Sequence, residues 1–140
     1  MIKEKYMKWE PIEDIPDKLY LDGLYHDWEG FRLLLSDYET GRMLRITFDP
    51  ALSYRNTDEG DLLKTEEVAE GIFAWPLYIV ENSRFLEWFH KESYEIRKKD
   101  NPLHYAIITP NDIIDVISAF LPTVEWLPDR NKGVRNDKRS

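Results

Sequence analysis

The chain has 140 residues, a formal net charge of −8 and no cysteine. That length suits one domain with one core, and the missing thiols exclude a disulfide framework, a thiolate zinc site, an iron–sulfur cluster and a cysteine nucleophile. No stretch approaches the ~20 apolar residues of a membrane span, and the charged opening MIKEKYMKW lacks the apolar core of a secretory signal, so a cytoplasmic protein without membrane contact is expected.

The charge is unevenly spread. Residues 129–140 hold five basic residues against two aspartates and little apolar content, which predicts a disordered basic tail of net +3. The first 128 residues then form the domain and carry −11, a field that repels phosphates and argues against nucleic acid, while suiting a basic protein partner.

In chain order, residues 1–18 mix Trp9, Ile12 and Ile15 with Pro11 and Pro16 and read as an extended arm anchored on the core by Trp9. A short strand over 19–21 is expected to stop at Asp22-Gly23, and a second follows Gly30 over 31–35. The polar run 36–41 ends on Gly41 and closes a hairpin onto a strand over 43–48, where Leu44, Ile46 and Phe48 face the core. Residues 51–71, irregular and acidic, read as the long loop of the fold. A strand over 77–80 follows Pro76.

The clearest helical signal covers 84–96. Asn82 or Ser83 precedes it as a cap, Phe85, Trp88, Phe89 and Ile96 lie along one side, and Glu87–Lys91 and Glu95–Lys99 are pairs of the favourable sense. A strand over 103–109, a turn at Thr109-Pro110-Asn111-Asp112 and a return strand over 113–118 complete the pattern, with Asp112 offering a helix cap as the alternative to that last strand. Short turns between consecutive strands favour antiparallel pairing. The fold class expected is therefore α+β, a predominantly antiparallel sheet of about five to six strands with one main amphipathic helix on one face.

No spacing demands a particular chemistry, and no cofactor or metal is expected. The segment Tyr54-Arg55-Asn56-Thr57-Asp58-Glu59-Gly60-Asp61 gathers three carboxylates and a guanidinium, yet it lacks the ligand pattern of a calcium loop. Arg55, Asp58, Glu59 and Asp61 serve either as a structural cluster or as a partner-binding patch, with Trp28 and Trp75 as candidate exposed anchors. Of the three histidines, His26 sits beside Asp27, but neighbours on a strand point to opposite faces; His90, on the helix flank, reads as solvated or half-packed, and His104, inside an apolar strand, as buried and hydrogen-bonded. The other tryptophans are expected mostly in the core, with Trp88 and Phe89 under the sheet.

The segments FRLLL, SYRNTDEGD, LYIVENSRFLEWFHKES, HYAIITPNDIIDVIS and VEWL together resemble a family of small uncharacterised bacterial proteins, over most of residues 8–128. In size, acidity and α+β character the chain is also similar to the immunity proteins that neutralise polymorphic toxins. That similarity implies a protein-binding module whose acidic face covers a basic, toxin-like partner. Two alternatives stand beside it: a ligand pocket or active site between the sheet and residues 51–71, with Arg55, Glu59 and His104 converging there, and an oligomeric adaptor.

Overall fold

The computed structural model describes residues 3–58 and 74–128. Within them nine strands occur in chain order: β1 (Lys5–Lys8), β2 (Tyr20–Asp27), β3 (Gly30–Ser36), β4 (Met43–Phe48), β5 (Ser53–Asp58), β6 (Leu77–Glu81), β7 (Leu103–Ile108), β8 (Asp112–Ser118) and β9 (Thr123–Trp126). One α-helix, α1 (Arg84–Glu92), lies between β6 and β7. Every strand pair is antiparallel, as expected, but the strands form two sheets instead of one. The larger has the order β1-β6-β7-β8-β5 and the smaller β2-β3-β4-β9.

Alternation in β3 and β4 explains why two sheets form. Phe31, Leu33 and Leu35 and their neighbours Leu44, Ile46 and Phe48 all point to one side and need an apolar surface to cover them. The inner face of the larger sheet supplies it through Leu77, Tyr105, Ile107, Ile114 and Val116, and these residues form one cluster. The opposite, outer face of that sheet holds a second cluster of Tyr78, Val80, Ala106, Ile108 and Ile113. Strands β7 and β8 are therefore buried on both sides, which is why their sequences are almost continuously apolar.

Other expectations need correction. The segment 53–58, read as loop, is a strand whose register with β8 runs unbroken from Ser53↔Ile117 to Asp58↔Asp112. β2 passes through Asp22-Gly23 by a register shift between Leu21 and Gly23 instead of stopping there. β1 lies inside the expected arm, pairing Lys5–Lys8 with β6, and Trp9 does anchor it, with its ring 5.1 Å from that of Tyr105. β9 pairs with β4 beyond the last expected strand. The return strand 113–118 is a strand, with Asp112 as its first residue. Residues 59–71 of the expected loop and the tail 129–140 lie outside the described residues.

Helix α1 begins as expected: the Leu86 amide donates to Ser83 Oγ at 2.9 Å. It ends four residues earlier than the periodicity suggests, because Tyr94 and Glu95 adopt positive φ of 50° and 61°. Ile96 is thereby left exposed, and Glu95 pairs with Lys98 rather than Lys99. Trp9, Trp75 and Trp126 are partly buried against the core and Trp28 is exposed, whereas Trp88, expected under the sheet, is exposed as well. Phe85, not Trp88 or Phe89, is the aromatic that α1 buries.

A guanidinium groove on the outer sheet face

The outer face of the larger sheet carries a buried polar chain. His104 on β7 and Asp115 on β8 lie on the same side as Ala106, Ile108 and Ile113, and α1 crosses above them with Phe85 edge-on to the His104 ring at 5.4 Å. His104 Nε2 is 2.6 Å from Asp115 Oδ1, and His104 Nδ1 is 2.6 Å from Ser83 Oγ. A carboxylate can only accept, so Nε2 carries the hydrogen and donates to Asp115. Nδ1 meets the Ser83 hydroxyl, whose oxygen also accepts the Leu86 amide. The cap of α1 and two adjacent strands are thus joined through one imidazole.

The chain continues to β5. Arg55 Nε donates to Asp115 Oδ2 at 2.9 Å, as the pairing of Arg55 with Asp115 across β5 and β8 requires. Burial pushes the Asp115 carboxyl up, but the hydrogen bond and charge of His104, with the charge and hydrogen bond of Arg55, outweigh it and hold the group below the ordinary carboxylate value. Tyr6 on β1 feels the same environment: burial pushes its phenol up, and the charges of Asp115 and Glu4 add to the shift.

Serine, histidine and aspartate are also the residue types of a nucleophilic triad, but here the arrangement serves position. Ser83 Oγ is committed to the helix cap, and the side chains of His104 and Asp115 are 1% and 2% exposed. What reaches solvent is the far end of the chain: the Arg55 side chain is 46% exposed, while its counter-ion is sealed beneath it.

Arg55 borders a groove of about 590 Å³ together with Glu4, Ser53, Tyr54, Arg84, Phe85 and Trp88. Its guanidinium carbon stands 4.3 Å from the centre of the Phe85 ring, and Trp88 stacks on that same ring at 5.8 Å with planes 12° apart. Among the described residues, the terminal nitrogens of Arg55 have no hydrogen-bond partner. Arg84 differs, because its counter-ion lines the groove with it: Glu4 is bonded to both the Arg84 guanidinium and the Arg84 amide at 2.9 Å. Arg55 is therefore the cation that faces the groove with its counter-ion buried behind it. A second groove on the other side of α1 differs, because Glu87 with Lys91 and Glu95 with Lys98 pair across it.

The residues singled out in the sequence are dispersed. Arg55 lies in the groove, Asp58 closes β5 opposite Asp112, and Glu59 and Asp61 lie outside the described residues. Trp28, 92% exposed, tips the β2–β3 turn of the smaller sheet. Trp75 is a packing residue, its indole N–H donating to the Trp9 carbonyl at 2.9 Å with the Lys8 ammonium 4.1 Å from its ring. His104 is buried and hydrogen-bonded as expected, His26 packs against Phe31 and Tyr54, and His90 sits half-buried on α1. Arg55 and His104 do meet, on Asp115, which the sequence reading passed over. The signal was present in Ile113-Ile114-Asp115-Val116-Ile117, since a carboxylate alone in a doubly buried strand must find a partner. Among the described residues no cluster of metal-ligating side chains occurs and no helix is long and apolar enough to cross a membrane.

No protein-family model matches this chain, and no curated protein or solved structure matches it.

Proposed function

We propose that the protein is a binding module that takes a carboxylate presented beside a flat apolar group, with Arg55 as the anion anchor and Phe85 and Trp88 as the apolar wall. One observation carries this reading: Arg55 is fixed through Nε by a buried, fully bonded chain, and its half-exposed side chain lines the groove. A guanidinium presented in this way matches a carboxylate through two parallel hydrogen bonds, and its fixed position removes most of the ordering cost of forming them. Trp88, partly exposed at the rim, gives an aromatic ligand a surface to cover.

The test is a nitrogen-15 NMR titration with benzoate, using benzamide as the neutral analogue. Benzoate is expected to bind with a dissociation constant on the order of millimolar, as suits one ion pair and one ring. It should move the Trp88 indole N–H and the amides of 53–55, whereas benzamide and the Arg55→Gln protein should give no such shifts. Equal shifts from both compounds, or shifts confined to another face, would contradict the reading.

An acidic recognition surface for a basic protein, the immunity-type reading, is favoured by a different observation. Asp58 and Asp112 stand opposite each other at the end of the β5–β8 ladder, where like charges oppose pairing. Under that reading Asp58→Ala, Glu59→Ala and Asp61→Ala together leave the fold intact and weaken a basic partner's binding most at low salt. An unfolded triple variant would show the carboxylates to be structural.

A further inference from the structure

Among the described residues the two sheets have four edges, and they are protected unequally. β1 is four residues long and carries Lys5 and Lys8, β9 is also four residues long, and β2 is broken by the shift between Leu21 and Gly23. Short length, lysine and bulges are the ordinary means by which an edge is made unattractive to a further strand. Among the described residues β5 has none of them. It is six residues long, in unbroken register with β8, without lysine or proline, and Tyr54, Arg55 and Asn56 are exposed in succession. It is also the edge that borders the guanidinium groove.

From this juxtaposition we infer that the groove's occupant is an extended segment of a partner protein that adds a strand to β5 and places an Asp or Glu side chain directly opposite Arg55. This rests on the carboxylate-binding reading above and names the class of ligand that carries the carboxylate. Cross-strand neighbours point to the same face. A residue paired with Arg55 therefore projects toward the groove, and so do the residues two before and two after it, which lie opposite Ser53 and Thr57. An apolar side chain at one of those positions covers Phe85 and Trp88. The backbone ladder supplies affinity, and the acidic and apolar positions supply selectivity.

Charge favours this occupant over a basic one, because Arg55 is half-exposed while its counter-ion Asp115 is sealed beneath it. The protein already shows how such a group is held: Glu4, which precedes β1, is bound by the Arg84 guanidinium in the same groove.

The inference is tested by selecting a displayed library of random dodecapeptides against the full chain, with the Arg55→Gln protein as counter-selection. The enriched peptides are then synthesised with single N-methyl groups along their length. The expected result is an acidic position with apolar residues at a spacing of two, a loss of affinity of roughly tenfold or more on Arg55→Gln, and an N-methyl scan that alternates. In that scan every second amide is needed, at roughly five- to tenfold each, and its neighbours are not. Enriched peptides that tolerate N-methylation throughout, or that bind Arg55→Gln equally well, overturn the inference, as does a selection that yields no acidic consensus. The benzoate titration separates the two failures. Benzoate shifts without strand-like peptides leave the carboxylate reading standing alone, and absent benzoate shifts remove both.

Discussion

The two faces of the five-stranded sheet solve burial in opposite ways. The inner face meets the smaller sheet through side chains such as Leu77, Ile107, Ile114 and Val116, each almost fully buried and apolar, so that water removal and close packing are the whole of its contribution. The outer face places His104 and Asp115 at the same depth and must satisfy each polar atom to keep them there. A buried ion pair is weak evidence for stability, since an apolar pair of similar size would often hold the sheet as well. The polar chain makes physical sense as the support of something exposed, and Arg55 is what it supports.

The largest effect should come from the inner face. Leu44→Ala, at a site with no solvent exposure, is expected to cost about 2–5 kcal/mol in chemical denaturation through lost transfer energy and the cavity left behind. Asp115→Leu on the outer face should cost roughly 1–3 kcal/mol, because it leaves the His104 Nε2–H buried without an acceptor while Arg55 turns to water. The double variant His104→Leu with Asp115→Leu removes that donor as well and should recover at least half of the single variant's loss. Additive losses would show that the chain stabilises the domain in its own right.

Acid provides a finer comparison. Asp115 ionises at lower pH in the folded chain than in the unfolded one, so its contribution is fully present above the ordinary carboxyl value of 3.8 and is lost as pH falls below that, through the folded value. The stability difference between the native chain and Asp115→Asn should accordingly be flat from neutral pH down to the ordinary carboxyl range and shrink beneath it. A difference that grew on acidification would reverse the assigned sign. Smallest of the set is Ser83→Ala, expected to cost about 0.5–2 kcal/mol as a lost helix cap.

The same contrast explains what could be read from the residues. β4 was legible to its last residue because Leu44, Ile46 and Phe48 alternate with Met43, Arg45 and Thr47 over one buried and one wetter face. β5 was not, because both faces of an edge strand beside a polar chain accept polar residues, and Ser-Tyr-Arg-Asn-Thr-Asp then resembles a loop. β1 and β9 are too short to show a period. The helix was placed correctly at its capped start and overrun at its end, since no glycine or asparagine marks the left-handed pair Tyr94-Glu95. For the site, His104 was foreseen as buried and Arg55 as a candidate contact. Their meeting on Asp115 depends on strand register and on the helix above, which local pattern does not encode.

The most direct test of the claim that the buried chain exists to present Arg55 is the benzoate titration repeated on Asp115→Asn under conditions where that variant is fully folded. The shape of the site is kept and the charge that fixes Arg55 Nε is removed. Loss of the Trp88 indole shift, with the dispersion of the core amides unchanged, is the predicted result. Benzoate binding as tight as in the native chain would show that Arg55 needs no such support, and that the polar chain belongs to the fold alone.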